Sequence, residues 1–298
     1  MVAKKISRRR LLKDTAIASI ASALYFSLPF KSFGQSNTGK TKVILIRNKD
    51  VIDVNGVVNQ DIMQEMLDEA VVKLTGKETV ADAWKEIVNP EDIVGIKSNA
   101  WSYLPTPAEL ENAIRTRVLE VGVKQKNVSV DDRGIRNNDV FKNSTALINV
   151  RPMRTHNWAG VGTLLKNYIM FSPNPSSYHD DTCADLAKLW ELPEVKGKTR
   201  LNILVMLTPL FHGVGPHHYN KNYTWQYKGL LVGFDPVAVD SVGVRILQAK
   251  RKEYFKEDRP INPPVKHVFL ADTRHGLGTA DPEKIDLIRL GWNEEILI

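Results

Sequence analysis

A single cysteine, Cys183, occurs among 298 residues. That scarcity excludes an internal disulfide, a four-cysteine zinc site and an iron–sulfur cluster held by this chain's own thiolates. No uninterrupted run of about 20 apolar residues is present, so no segment reads as a full membrane span. The motifs of several common chemistries are missing too. No G-x-G-x-x-G follows a strand pattern, and no P-loop, H-E-x-x-H or G-x-S-x-G occurs. Gly213-Val214-Gly215-Pro216 and Gly276-Leu277-Gly278 are glycine turns without the third glycine of a dinucleotide loop.

Excess charge is confined to one end. The chain carries a formal +7, but residues 1–34 hold seven basic side chains against Asp14 alone. The remaining residues are balanced, with 34 basic and 33 acidic side chains. A nucleic-acid partner is therefore not expected, since such proteins present a basic domain face. With 43% hydrophobic and 25% charged residues spread along the chain, disorder and coiled coil are excluded on composition.

What is present begins with an export signal. Ser7-Arg8-Arg9-Arg10-Leu11-Leu12-Lys13 resembles the twin-arginine translocation motif, with Arg8 and Arg9 as its pair. A mildly apolar run over residues 15–28 and Pro29 follow, and Ser32 and Gly34 suit cleavage before Gln35. The alternative is an anchor left uncut. No cysteine follows the run, so lipoprotein attachment is excluded. The resemblance implies passage in the folded state through the twin-arginine translocase to the periplasm.

Residues 35–41 form a polar linker, and residues 42–298 carry the pattern of one α/β domain. Apolar runs at Lys42–Arg47, Asp92–Lys97, Val128–Asp131, Ala146–Val150, Leu201–Leu207, Gly229–Gly233 and Lys284–Leu290 read as strands. Helical periodicity runs from Ile62 to Leu74, ended by Gly76. Further helices open at Pro107 and Pro236, and Pro264 and Gly276 bracket another. Alternating strands and helices predict a largely parallel, and in part mixed, sheet flanked by helices, with residues 157–200 as an elaboration.

In such sheets, ligands bind at the carboxyl ends of the strands. Lys97 and Asn99 follow one strand there, Asp131, Asp132 and Arg133 a second, Arg151, Arg154, Thr155 and His156 a third. His212, His217 and His218 follow a fourth, and Asp235 a fifth. Lys97, Arg133, Arg154 and Lys166 would make a shared crevice cationic and suited to phosphate or carboxylate. The bland alternative is a set of ordinary polar loops. His156, as the titratable group beside the anion, is the expected general acid or base. All seven histidines lie after residue 150, and His179, His212 and His217 are candidate ligands for a divalent metal. Cys183 reads as a small core residue or a nucleophile at a helix start.

Several of these segments together resemble the bacterial and archaeal family called domain of unknown function 362. The resemblance rests on Val94–Asn99, Ile148–His156, Leu165-Lys166-Asn167 and Asp235-Pro236-Val237-Ala238-Val239-Asp240, and it covers about residues 42 to 292. It implies a basic residue, Thr and His at 154–156, Lys and Asn at 166–167, and Asp240 as parts of the site. Many relatives carry a ferredoxin-like cysteine cluster, and this chain has none. The apolar Val205-Met206-Leu207 also replaces an acidic position of the family pattern. The resemblance carries a fold and a site but no reaction. Three functions are expected in order: an exported enzyme acting on an anionic small molecule, a periplasmic binding or accessory protein, and a cofactor-dependent oxidoreductase.

Overall fold

A computed structural model describes residues 39–213 and 219–298. The expected strands are present, as β1 Thr41–Arg47, β2 Val94–Lys97, β3 Val128–Asp131, β4 Ala146–His156, β5 Gly160–Gly162, β6 Thr199–Leu210, β7 Gly229–Gly233 and β8 Ile285–Gly291. The longer helices are α1 Gln60–Thr75, α2 Val80–Ile87, α3 Ala108–Glu120, α6 Pro236–Phe255 and α7 Lys266–Thr273. Two single turns, α4 Asp139–Lys142 and α5 Leu164–Asn167, lie between them. Among the described residues no helix is long and apolar enough to cross a membrane.

The strands make one sheet in the order β3-β2-β4-β6-β7-β1-β8, with β5 folded back on the end of β4. β3, β2, β4 and β6 are mutually parallel, and so are β1 and β8. β7 runs against both β6 and β1. The mixed α/β sheet with flanking helices is the expected fold class. One expectation is corrected by β7. Because that strand runs backwards, Asp235 follows it at the amino edge of the sheet, away from the other candidate residues. There Asp235 accepts the Val237 and Ala238 amides and so caps α6.

Side-chain alternation along the central strands splits the core in two. Ile44, Ile148, Ile203, Val205 and Val232 face α1, α2 and α3. Val43, Leu147, Leu204 and Leu231 face α6, α7 and the segment 164–195. The caps follow from local chemistry. Asn59 accepts the Asp61 and Ile62 amides at the start of α1. Gly76 ends that helix at φ 72°, with its N–H on Val72 O, a left-handed cap that a side chain would strain.

β4 exceeds the expected Ala146–Val150 strand by six residues. β2 stops where Lys97 faces Asn149, and β5 pairs only with the end of β4 from Arg154, so among the described residues β4 has no strand partner on that side over residues 150–153. A proline such as Pro152 is tolerated at such an edge. Loop residues 98–106 and helix α5 flank this bare stretch, and the site lies along it.

Candidate functional site

Residues 151 and 154 of a regular strand point to opposite faces. The register of β4 on β6 shifts between Pro152 and Arg154, and β5 pairs back so that Gly162 faces Arg154. Both guanidinium groups converge on Gly162. A methyl group there would lie 2.9 Å from Arg151 Nη2 and 3.4 Å from Arg154 Cζ. Irregularities of this kind re-aim side chains beside functional sites.

Both arginines are buried, and both are short of partners. Arg151 Nε, Arg154 Nε and Arg154 Nη1 have no hydrogen-bond acceptor among the described residues. Burial draws the Arg151 guanidinium down to about 10, against the pull of Asp132 and Asp240. Burial and then Arg151 take Arg154 well below its ordinary value. Arg154 instead stacks on Trp101, its Cζ 4.2 Å from the ring centroid. Arg47, at the carboxyl end of β1, makes an instructive contrast. It is equally buried, yet its Nε donates to Tyr227 O at 2.8 Å and its face covers Tyr227 and Trp292.

Lys97 is held tightly. Its Nζ lies 2.6 Å from Asp132 Oδ1, 2.6 Å from Ser98 O and 3.3 Å from Asn167 Oδ1. Burial lowers its pKa to about 8 against the attraction of Asp132. Burial alone would raise the Asp132 pKa, but Lys97 and the Ala100 amide hold it below the carboxylate norm. Lys166 Nζ contacts Cys183 Sγ at 3.6 Å, and burial and Arg151 lower it to about 8 against the thiol's pull.

Three buried asparagines lock this arrangement to the sheet. Asn202 donates to Phe234 O, and Asn149 Nδ2 reaches Asn202 Oδ1 and Leu164 O. Asn167 Nδ2 lies 2.9 Å from Asn149 Oδ1 and 3.0 Å from Val150 O. The Asp240 carboxylate accepts the Leu164 and Leu165 amides at 3.0 and 2.9 Å. Burial pushes Asp240 up to about 7 against those bonds. Asn167 and Asp240 thus position α5, and with it Lys166.

His156 was expected to titrate near neutrality, and its surroundings oppose that. Its Nδ1 accepts the Trp158 amide at 3.2 Å. Burial, then Lys166, Arg154 and Arg151, hold the imidazole far below its ordinary value, so it is neutral. The proton then sits on Nε2, which makes it a hydrogen-bond donor.

The other candidates are dispersed. Asn99 is buried with Oδ1 unpartnered among the described residues, and its backbone pairs with Thr106. Thr155, its hydroxyl likewise unpartnered, lines a cavity of about 880 Å³ with His212, Tyr219, Tyr223, Arg251 and Pro260. That volume suits a small organic ligand. Arg133 is exposed and outside the cluster. His179 packs on Trp158, with ring centroids 4.3 Å apart, while His212 Nδ1 meets Arg251 Nη1 at 3.1 Å. His217, Arg8 and Arg9 lie outside the described residues. Among the described residues no three His, Cys, Asp or Glu side chains are grouped to hold a metal ion.

An aromatic rim borders the cations. Trp101 meets Tyr103 and Tyr219 edge-on, and those two tyrosines stack at 4.9 Å. Sequence reasoning passed over Trp101 and Gly162 and left Arg151 out of the cationic set. Its proximity to Arg154 was visible, but the shift that aims both inward was not.

The family described as a domain of unknown function (DUF362) matches residues 94–245, about half of the chain. No curated protein matches, and no solved structure does.

Proposed function

The chain belongs to the domain of unknown function DUF362 family, and from that premise we propose that it is an exported enzyme acting on an anionic small molecule in the crevice beside β4. One observation carries the reading. Arg151 and Arg154 are buried side by side with guanidinium nitrogens that no described residue accepts from. Burying unpaired charge is among the costliest things a fold can do. An anion reaching both groups would relieve that cost. Lys97 and Lys166 add positive charge, and Asp132 neutralises only part of it. Phosphate and carboxylate fit donors of this kind equally well.

Catalysis, rather than binding alone, is favoured by the neutral His156 beside the cations, a group able to polarise a substrate oxygen. The aromatic rim supports exclusion of water. Export is supported by the Arg8-Arg9 pair, the apolar run behind it and the small residues before Gln35.

The test is thermal stability with inorganic phosphate against sodium chloride at matched ionic strength. Ligand binding to the native state alone raises the melting temperature, by about 2.7 kcal/mol of stability at a hundredfold excess over Kd. Phosphate should stabilise the protein, and Arg154→Gln should abolish most of the effect. Equal stabilisation by both salts would reduce the effect to screening and overturn the anion site.

A further inference from the structure

The two buried lysines of the crevice have opposite surroundings. Lys97 Nζ has three oxygen acceptors, one of them the Asp132 carboxylate. Lys166 Nζ, only 3% exposed as a residue, has no such support. Its one hydrogen-bond contact among the described residues is Cys183 Sγ at 3.6 Å, and sulfur is a weak acceptor. The thiol itself is pushed up by burial, so it brings little negative charge.

The charged groups around Lys166 are unfavourable to an ammonium. Arg151 and Arg154 from β4 both lower its pKa. Lys166 in turn lowers His156 on β4, His179 before the turn Asp180–Cys183, and His267 on α7, so all three lie within its field. A desolvated amine beside other cations is drawn towards neutrality, so that a fraction of it carries a free lone pair near neutral pH and more does in mild alkali. The asparagine lattice and Asp240 hold α5 rigidly, so this amine is kept at the wall of the anion site.

We infer that Lys166 is the nucleophile of the crevice and forms an imine with a small 2-oxo acid whose carboxylate is held by Arg151 and Arg154. This rests on the crevice being an anion site. The Lys166 lone pair adds to the carbonyl carbon, forming the C–N bond as the carbonyl π bond breaks. The nitrogen proton passes to the former carbonyl oxygen, giving the carbinolamine. Loss of water then leaves the C=N bond, with nothing oxidised or reduced. His156 Nε2–H is the neighbouring donor available to the carbonyl oxygen during addition. Lys97 does not attack, because its Nζ is engaged by Asp132 Oδ1, Ser98 O and Asn167 Oδ1.

The experiment treats the full chain with pyruvate and sodium cyanoborohydride, which fixes an imine as a stable secondary amine. Intact mass and peptide mapping should find a single adduct on the peptide carrying Lys166. Lys166→Arg should lose it and Cys183→Ser should keep it, while acetone, which lacks the carboxylate, should give none at that peptide. Should Lys166→Arg fail to fold, inorganic phosphate added to the wild type must protect the same peptide. Adducts scattered over exposed lysines, unaffected by phosphate, would overturn the inference. Phosphate stabilisation measured on the same preparation separates the two readings. If it persists without an adduct, only the imine falls; if it is absent as well, the anion site falls too.

Discussion

Lys97 Nζ and Asp132 Oδ1 lie 2.6 Å apart at the ends of adjacent parallel strands, both buried. They form the only cation–carboxylate ion pair of the crevice among the described residues. Asp132 also accepts the Ala100 amide, which ties the loop after β2 to the same carboxylate. One cation is thereby neutralised within the protein, whereas Arg151, Arg154 and Lys166 are left without a paired carboxylate.

Breaking that pair should be costly. Asp132→Asn leaves Lys97 buried and uncompensated, a change that typically costs about 3–5 kcal/mol. The Asp132 pKa is lowered in the folded state, so its contribution is present above its unfolded value and is lost as pH falls through the folded one. Urea unfolding of wild type and variant should therefore differ strongly at pH 7 and converge in acid. Phosphate should stabilise the variant more than the wild type, because the crevice has lost a negative charge. Weaker phosphate stabilisation in the variant would show that the crevice charge does not govern anion binding.

Gly162→Ala tests convergence of the two arginines. The added methyl would approach Arg151 Nη2 at 2.9 Å and Arg154 Cζ at 3.4 Å. Side-chain ends can yield, so the fold should survive with a modest loss of stability. The guanidinium groups cannot both yield and keep their aim. Phosphate binding measured by calorimetry should weaken about tenfold, near 1.4 kcal/mol. Unchanged affinity would mean that the anion does not sit between them.

Much of this architecture was legible in the chain. Gly76, Pro107 and Pro236 marked helix ends because their backbones are restricted or freed in ways a helix end needs. The direction of β7 was the main misreading, although a clue was present. Between Leu210 and Gly229 the described residues hold only the single turn Lys221–Tyr223, and a parallel return needs a crossover, usually helical. Reading that gap would have moved Asp235 to the far edge.

Position at strand ends singled out Lys97, Asp132, Arg154 and His156 as candidates, while Lys166 came from the segment Leu165-Lys166-Asn167 that carries the family resemblance. Roles were less legible. Asn167 and Asp240 look like ligand-binding polar residues in sequence, yet their hydrogen bonds are spent on backbone and neighbouring side chains. The Arg151–Arg154 pairing depends on a register shift, which arises from long-range strand pairing and leaves no local pattern.

Export can be tested apart from the crevice. Changing Arg8 and Arg9 together to Lys keeps the charge while removing the pair that the twin-arginine pathway's receptor reads. Fractionation of cells expressing the full chain should then find the precursor retained in the cytoplasm. Undiminished arrival of the double variant in the periplasm would refute export by that route.

Alkaline pH should act on the lysines in a defined direction. Lys97 and Lys166 are lowered to about 8 from an ordinary 10.5. Between those values the folded state holds fewer protons than the unfolded one, so the cost of burying the ammonium fades and stability rises with pH. Phosphate stabilisation should decline over the same window, since the ammonium charge it uses is disappearing. The difference between wild type and Lys166→Met, followed by thermal melts in both conditions, isolates one lysine. A difference that is flat from pH 8 to 10.5 would contradict the lowered value.

His156 offers the sharpest test of the site's electrostatics. Its Nδ1 accepts the Trp158 amide, and the cations Lys166, Arg154 and Arg151 add to burial in opposing a second proton. The ring should therefore remain neutral from roughly pH 5 to 9, where an ordinary histidine titrates. Nitrogen NMR of labelled protein should find a protonated Nε2, an unprotonated Nδ1 and no midpoint in that range. A glutamine side chain can also donate, whereas leucine cannot. If the ring polarises a substrate oxygen, His156→Gln should retain part of the rate of pyruvate adduct formation, and His156→Leu should lose it, with phosphate stabilisation little changed in either. A midpoint near 6.5 in the empty protein would mean that the ring is solvated and the surrounding cations too distant to act on it. Equal adduct rates in the two variants would remove the donor role while leaving the anion site intact.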